Sequence, residues 1–343
     1  MKSGIIGGPG SGKTTIYEAL TGNFQEAGRR GDNRIAAIRV PDPRVDMLAG
    51  MYTPQKTSYA QVEYLLPGKG TEKDGAKAGS SWTAVRDCDA LIHVVRNFSS
   101  YGLAEPTALE DVNHVDQELI LNDFMVAEKR LERLNLDQKR GRKSDLEERA
   151  LLEGCISTLE NNIPLRQQPE LASAPLLRGF AFLSSKPLLV LFNNADEDDC
   201  LPVITGGGSN ELRLTIRGKL EHELAQMSPE EAAEFLKEFD IATSAKDRII
   251  AKSYELLGLI SFFTVGEDEV KAWTIRKHTA AIDAAEAIHT DLKKGFIRAE
   301  VLAYDDLMTA GSYAAARKLG TVRLEGKDYE VQDGDILHVR FNV

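Results

Sequence analysis

Short apolar runs and amphipathic stretches alternate along the first part of the chain. The runs predict strands at residues 3–6, 35–40, 61–65 and 90–95. Helical segments between these strands give the alternation that a parallel α/β sheet requires. The later run 187–192 is apolar at every position, which is typical of a central parallel strand buried on both faces. We therefore predict an α/β domain with a parallel-rich sheet.

Two amphipathic stretches interrupt this alternation. Apolar residues recur in them at spacings of three and four, as on one face of a helix. The residues concerned are Ile120, Phe124, Ala127, Leu131 and Leu134, followed by Leu152, Ile156, Leu159 and Ile163. Because each stretch is too short to be stable as an isolated coil, the pattern predicts an inserted, coiled-coil-like helical hairpin with its turn at 137–144.

The residues after 266 predict a compact α+β unit. Strand patterns at 270–276 and 296–304 flank a helix whose apolar face begins at Ala281. An Asp333-Gly334 turn then predicts a terminal hairpin. Its last strand would place three apolar side chains on one face, those of Leu337, Val339 and Phe341.

The segment from Gly7 to Thr15 fits the phosphate-binding pattern G-x-x-x-x-G-K-[ST] between a strand and a helix. Glycines let backbone N–H groups turn towards phosphate oxygens, and the N-terminus of the following helix favours an anion. Lys13 would be the catalytic cation on the outer phosphates, and the Thr14 hydroxyl would ligate Mg²⁺. A ligand-free glycine turn is the alternative, but Lys and Thr stand at the spacing that the motif requires. The predicted phosphate-binding residues are Gly8, Pro9, Gly10, Ser11, Gly12, Lys13, Thr14 and Thr15.

A second polar segment, Asn193-Asn194-Ala195-Asp196, follows the buried run, at a strand end where open α/β sheets bind ligands. An N-x-x-D segment there resembles the base-recognition element of GTPases, in which the Asp binds guanine and the Asn braces the phosphate loop. A polar turn is the alternative, because Asn and Asp favour turns in any case. Next to a phosphate-binding motif, the better interpretation is that Asn193, Asn194 and Asp196 meet the base. His93, inside an apolar run, is predicted to be a packed core residue.

Composition limits the classes of partner. The chain has 343 residues and a net charge of −11, from 42 basic and 53 acidic residues. This net negative charge argues against binding of nucleic acid over most of the protein surface, but it allows a local basic contact. The hairpin turn is either such a contact with RNA phosphates or a solvated turn, and it carries Lys139, Arg140, Arg142 and Lys143. Three cysteines without short spacing and no membrane-length apolar run lead us to expect a cytoplasmic protein with no membrane contact.

Segments at both ends of the chain resemble one known family. Near the N-terminus they are 40–44, Val-Pro-Asp-Pro-Arg, and 89–96, Asp-Ala-Leu-Ile-His-Val-Val-Arg. Near the C-terminus they are 272–274, 288–291, 294–301, 304–306, 324–329 and 333–343. Together these runs resemble the YchF family, the Obg-like ATPases, whose C-terminal TGS domain is a ubiquitin-like β-grasp module.

This resemblance implies three domains and a class of activity. The P-loop NTPase domain would comprise 1–108 and 178–265, the inserted helical hairpin 109–177, and the TGS-like β-grasp domain 266–343. Family members hydrolyse nucleotide, often ATP in preference to GTP, and associate with ribosomes. The resemblance therefore implies ATP or GTP as substrate. It also implies a ribosome or RNA partner, contacted through the basic hairpin turn and the TGS surface.

The switch regions depart from the family pattern. The first switch normally supplies a Thr to Mg²⁺, but residues 30–34 contain none. The D-x-x-G of the second switch is matched at 63–66, which lacks the glycine and has Glu63 in place of the Asp. The following loop, 67–80, would sense the nucleotide. The family's base element ends in Glu, whereas Asp196 suits guanine.

The sequence thus predicts a purine-nucleotide-binding protein with slow, Mg²⁺-dependent hydrolysis of ATP or GTP, coupled to a ribosome or RNA partner. A non-hydrolysing nucleotide-binding adaptor with degenerate switches is the alternative. A nucleotide kinase is less favoured. Residues 7–13 resemble nucleoside monophosphate kinases, but the chain shows no Arg-rich lid pattern.

Overall fold

The computed structural model describes residues 1–24, 32–68, 79–102, 104–140, 145–202, 211–238, 241 and 244–342. The chain forms two compact units, each made of two stretches of sequence. The first unit contains Met1–Ala37 and Glu63–Ile249. The second contains Ile38–Val62 and Ile250–Val343. Most of the predicted switch loop, residues 69–78, lies outside the described residues.

The strands agree with the predicted ones to within a few residues wherever both exist. In chain order they are β1 (Lys2–Ile6), β2 (Arg34–Arg39), β3 (Lys56–Ser58), β4 (Gln61–Leu66), β5 (Ala90–Asn97), β6 (Leu188–Asn194), β7 (Glu211–Ile216), β8 (Leu259–Thr264), β9 (Glu269–Arg276), β10 (Phe296–Ala303), β11 (Arg323–Glu325) and β12 (Asp335–Phe341).

The helices are α1 (Lys13–Thr21), α2 (Pro43–Tyr52), α3 (Gly79–Val85), α4 (Ala108–Lys139), α5 (Leu146–Glu160), α6 (Pro169–Ser173), α7 (Gly218–Leu224), α8 (Pro229–Glu238), α9 (Ala245–Leu256), α10 (Ala281–Ile288), α11 (Thr290–Lys294), α12 (Tyr304–Ala310) and α13 (Tyr313–Leu319). Two 3-10 helices, Leu165–Gln167 and Pro175–Phe180, connect α5 to β6. No described helix combines the length and apolar character needed to cross a membrane.

The first sheet has the strand order β2-β4-β1-β5-β6-β7. The pairings β4–β1, β1–β5, β5–β6 and β6–β7 are all parallel. This register aligns Ile6 with His93, and Asn97 with Asn194, so the carboxyl ends of β1, β5 and β6 share one edge of the sheet. Every residue of β6 is buried, which confirms the predicted central strand.

Helices α4 and α5 pack against each other, which confirms the helical hairpin. Their seam is a buried cluster that includes Ile120, Leu134, Leu152 and Leu159. Asp145 caps α5, because its carboxylate accepts from two backbone N–H groups in the first turn. The turn residues Arg142 and Lys143 lie outside the described residues, whereas Lys139 and Arg140 are exposed at the end of α4.

The second unit is a mixed sheet with the strand order β11-β10-β12-β8-β9-β3. Helix α10 covers one face, where Ala284 and Ala285 pack with Phe262, Ala299 and Leu337. The small side chains of α10 let the helix approach the sheet closely. A C-terminal sheet with one packed helix agrees with the β-grasp architecture that the sequence predicted.

One predicted feature of the second unit is wrong. Asp333-Gly334 does not join a local hairpin, because the antiparallel partner of β12 is the distant strand β10, with Val339 opposite Ala299. On its other side, β12 pairs in parallel with β8 at Ile336. The tight turn itself is present, since Gly334 has a φ of +91°. The sequence signal identified the turn but could not identify its strand partner.

Candidate nucleotide-binding site

The glycine-rich loop connects β1 to α1 at the carboxyl edge of the first sheet. Three of its residues have a left-handed backbone, with φ values of +143° at Gly7, +74° at Gly10 and +93° at Gly12. Side chains other than glycine rarely adopt this conformation. The loop can therefore turn back on itself and direct backbone groups towards the N-terminus of α1.

Close packing makes two of these glycines necessary for a second reason. A Cβ atom on Gly7 would lie 2.3 Å from the Val94 carbonyl oxygen, inside β5. A Cβ atom on Gly12 would lie 2.3 Å from Nδ2 of Asn193. By contrast, a Cβ atom on Gly8 would meet nothing within 4 Å. The loop is thus pressed against two neighbouring strands at Gly7 and Gly12.

Lys13 folds back over this loop. Its Nζ donates to the carbonyl oxygens of Gly7, at 2.8 Å, and Gly8, at 2.7 Å. The ammonium group is therefore held above the loop, where it places a positive charge beside the backbone that would cradle an anion.

The remaining loop residues differ in exposure. Thr14 is exposed in the first turn of α1, and Thr15 is half-buried beside it. Pro9 and Gly10 are exposed at the tip, while the Ser11 hydroxyl is buried with no hydrogen-bond partner among the described residues. The residue proposed for Mg²⁺, Thr14, is thus accessible.

Asn193 ties three parts of the site together. Its Nδ2 donates to the Ser11 carbonyl oxygen at 3.0 Å, across 182 residues of sequence. Its Oδ1 accepts from the Gly218 backbone N–H at 3.0 Å, at the start of α7. The side chain is 4% exposed, so both bonds form away from water. The buried amide therefore connects the phosphate loop to the strand end of β6 and to the N-terminus of α7.

Asn194 and Asp196 have different surroundings. Asn194 is buried, donates to the Cys200 carbonyl oxygen at 2.8 Å and accepts from Nδ2 of Asn97 at 3.0 Å. The Asp196 carboxylate is 34% exposed, with Oδ1 accepting from the Leu220 N–H at 3.3 Å and Oδ2 lying 3.5 Å from Nζ of Lys219. Of these two side chains, Asp196 offers the accessible polar group.

Sequence reasoning missed the residues that complete this edge, namely Asn97, Gly218, Lys219 and Leu220. A Cβ atom on Gly218 would lie 2.5 Å from Oδ1 of Asn193, so the brace depends on a glycine there as well. One sequence feature could have indicated these residues: the strand-like residues 212–216 are followed directly by the start of a helix. This arrangement places backbone N–H groups at the carboxyl edge of the sheet.

His93 is a core residue, as predicted. It is 1% exposed and pairs with Ile6 in the sheet, and neither ring nitrogen has a hydrogen-bond partner among the described residues. Burial, followed by the positive charges of Arg166 and Lys13, lowers the pKa of His93 to about 3. The ring is therefore neutral near pH 7 and carries no proton to donate from an imidazolium.

The match of residues 63–66 to the second-switch motif does not place Glu63 at the phosphate loop. Glu63 pairs with Lys2 at the amino end of β1, whereas the phosphate loop follows Ile6 at the carboxyl end. Those two ends are about 13 Å apart along the strand. The register places Leu66 and Pro67, not Glu63, near the phosphate loop, because Leu65 is opposite Gly4. The motif match found the right strand but began too far from its carboxyl end. Arg30 and Gly31 of the first switch lie outside the described residues.

The fold and site define a class. The chain has a parallel-rich α/β sheet with a glycine-rich loop and Lys13 at its carboxyl edge, an inserted helical hairpin and a later β-grasp sheet. This combination is a P-loop NTPase architecture with a C-terminal accessory domain.

Comparison with known proteins assigns the family within this class. Residues 259–342 match the family model YchF-GTPase_C, described as "Protein of unknown function (DUF933)". The chain is 34% identical over 364 residues to the "Ribosome-binding ATPase YchF" of Bacillus subtilis (strain 168), covering 100% of both chains. It is 33% identical over 361 residues to the protein of the same name from Escherichia coli O157:H7, covering 100% of this chain and 99% of that one.

A solved structure agrees with this assignment. The Schizosaccharomyces pombe YchF GTPase matches with a TM-score of 0.81 at 28% sequence identity, over 99% of this chain and 97% of that one. The chain belongs to the YchF family.

Proposed function

We propose that this protein binds a purine nucleoside triphosphate and hydrolyses it slowly, with Mg²⁺, in association with the ribosome. The observation that carries the proposal is the buried brace from Asn193 to Ser11 and Gly218. This brace holds a phosphate-loop motif against the strand end that carries Asp196. The YchF relatives are named as ribosome-binding ATPases, which supports the same activity here.

The phosphate groups would lie in the loop between Gly8 and Thr15. Backbone N–H groups and the N-terminus of α1 would bind the inner phosphates, and Lys13 would leave the carbonyl oxygens of Gly7 and Gly8 to bind the outer ones. Lys13 would thereby stabilise the charge that develops on the transferred phosphoryl group.

Thr14 fits Mg²⁺ because it is an exposed hydroxyl-bearing residue beside the phosphate loop. No group of three or more potential metal-binding His, Cys, Asp or Glu side chains occurs among the described residues. A Mg²⁺ ion held by one hydroxyl, phosphate oxygens and water is an ordinary arrangement for a nucleotide site. When bound, the ion would supply charge neutralisation on the outer phosphates.

The base would meet Asp196, while Asn193 positions the loop and Asn194 supports the strand end. Two nucleotides are possible at this site: the family resemblance favours ATP, whereas an Asp carboxylate suits the guanine base of GTP. Titration of ATP and GTP into wild type and Asp196→Ala tests the assignment, with the exposed neighbour Glu197→Ala as control. If Asp196 binds the guanine base, Asp196→Ala should bind GTP about tenfold or more weakly, and its affinity for ATP should change little. Unchanged affinity for both nucleotides would remove Asp196 from the base site.

Hydrolysis is tested by multiple-turnover phosphate release from the full chain, compared with Lys13→Ala. We expect a fall of about 100-fold or more in the variant, because the cation acts on transition-state charge. Release that does not depend on Lys13 would favour the non-hydrolysing adaptor. A nucleoside monophosphate that stimulates stoichiometric ATP consumption would favour a kinase instead.

The ribosome or RNA contact would involve the basic hairpin turn, Lys139, Arg140, Arg142 and Lys143, together with the TGS-like surface. Charge reversal at Lys139 and Arg140 should weaken co-sedimentation with ribosomes and reduce its salt dependence, because phosphate contacts are salt-dependent. Reversal at Lys129 and Arg133, exposed on the same helix, is the matched control. Equal binding by both variants would exclude the turn as the contact.

We retain the division into an NTPase domain at 1–108 and 178–265, a hairpin at 109–177 and a TGS-like domain at 266–343 as a proposal. We also propose that the protein works in the cytoplasm, where ribosomes are found.

A further inference from the structure

The last strand of the second unit has an incompletely paired edge. Strand β10 pairs with β12 along its whole length, from Asp335 to Phe341. On the other side, β8 pairs with β12 at Ile336 and ends at Thr264. In the described part of the chain, residues 337–341 therefore have a strand partner on one side only. Such an edge is a template for an added strand.

A cavity of about 430 Å³ runs along this edge, and we call it the β12 groove. Its volume lies within the usual range of binding pockets. The lining includes the apolar residues Ile288, Leu292 and Phe341 and the charged residue Arg317. The strand residues 336–339 also line it, as expected of a groove that follows a strand edge.

The charge at the groove limits which partner fits. Glu300 is 5% exposed and accepts from Tyr313 at 2.9 Å, Arg317 at 2.6 Å and Arg340 at 2.8 Å. Two guanidinium groups face one carboxylate, and the side chains of Arg317 and Arg340 remain 60% and 53% exposed. The exposed side of this cluster is therefore positive and favours an acidic group on the partner.

We propose that the β12 groove binds an extended segment of a partner protein by strand addition. The segment alternates apolar and acidic residues. Its backbone pairs with the edge of residues 337–341, its apolar side chains cover Ile288 and Leu292, and a carboxylate meets Arg317. This mode takes affinity from main-chain hydrogen bonds and specificity from alternate side chains.

The test uses synthetic nine-residue peptides that alternate Val or Ile with Asp, titrated into the full chain. We expect dissociation constants below about 1 mM and slower amide hydrogen exchange at residues 337–341. A peptide with N-methylated backbone positions has the same side chains but lacks the donors, so its affinity should fall at least tenfold. Equal affinity of the two peptides, or no binding of any peptide at 1 mM, would overturn the proposal.

A matched pair of variants locates the site. Phe341 lines the groove and is 46% exposed, whereas Leu324 lies on β11 at the far edge of the same sheet and is 48% exposed. Phe341→Ala should weaken peptide binding at least fivefold, and Leu324→Ala should leave it unchanged. Equal loss in the Phe341 and Leu324 variants would place binding elsewhere.

Discussion

A glycine in the phosphate loop can be needed for two reasons. The backbone there can be left-handed, and neighbouring atoms can leave no room for a side chain. Both reasons apply to Gly12, with a φ of +93° and the Asn193 amide 2.3 Å from where its Cβ would be. Gly8 belongs to the same motif but has open space and no positive φ. Membership of the motif therefore does not by itself show which glycine is indispensable.

Gly12→Ala should lower the free energy of unfolding by about 1–3 kcal/mol, because the backbone becomes strained and the Asn193 brace must move. Nucleotide affinity should fall at least tenfold. Gly8→Ala is the matched control and should change stability by less than about 0.5 kcal/mol. Urea denaturation and nucleotide titration measure both effects, and similar losses in the two variants would contradict the argument.

At the scale of elements, α4 is fixed to the rest of the first unit by buried polar contacts as well as by apolar packing. Asp123 is fully buried, and its carboxylate accepts from the N–H groups of Leu183, at 2.9 Å, and Ser184, at 2.6 Å. Burial raises the pKa of Asp123, although these hydrogen bonds partly oppose the shift. Asp116, on the same helix, accepts from the buried Arg166 guanidinium at 2.6 Å. The long helix is thereby held in one register against the segment that leads into β6.

Asp123→Ala should lower the free energy of unfolding by about 2–4 kcal/mol, because it leaves two buried backbone donors without acceptors. The exposed residue Gln117, also on α4, gives the control Gln117→Ala, which should change little. Thermal unfolding followed by circular dichroism distinguishes the two. A small effect at Asp123 would mean that water replaces the carboxylate.

At the scale of the whole molecule, the chain is built as two compact units, and the second carries its own buried ionic group. Glu300 lies on β10, and its three partners lie on α13 and β12. Burial would raise the pKa of Glu300, but hydrogen bonds from Arg340, Tyr313 and Arg317 outweigh it and lower the pKa to about 2. One carboxylate therefore links two strands of the sheet, β10 and β12, to helix α13.

This shift predicts an acid sensitivity in the second unit. A carboxyl group with a depressed folded-state pKa stabilises the fold above its ordinary value of 4.5, and this stability is lost as the pH falls towards about 2. Trp273 fluorescence in a Trp82→Phe background reports on this unit. Glu300→Gln should be less stable at pH 7 and should lose less stability between pH 5 and 3. Parallel pH profiles for both proteins would contradict the assignment.

Local patterns determined much of the first unit. The phosphate loop, the fully buried strand β6 and the two hairpin helices each depend on neighbouring residues, through glycine spacing, an unbroken apolar run or a helical repeat. Resemblance in the last part of the chain also predicted the family correctly. These features could be predicted from the sequence because each one is determined by residues within one short segment of the chain.

Tertiary structure decided the rest, because it depends on which distant segments meet. The amide of Asn193 reaches Ser11 across 182 residues, and β12 pairs with β10 instead of forming a local hairpin. Only the strand register could show that Glu63 lies opposite the amino end of β1, away from the phosphate loop. The sequence determined the chemistry available in each segment. Pairing and packing between segments determined which groups share a site, because hydrogen bonds and close contacts select partners by distance in space and not along the chain.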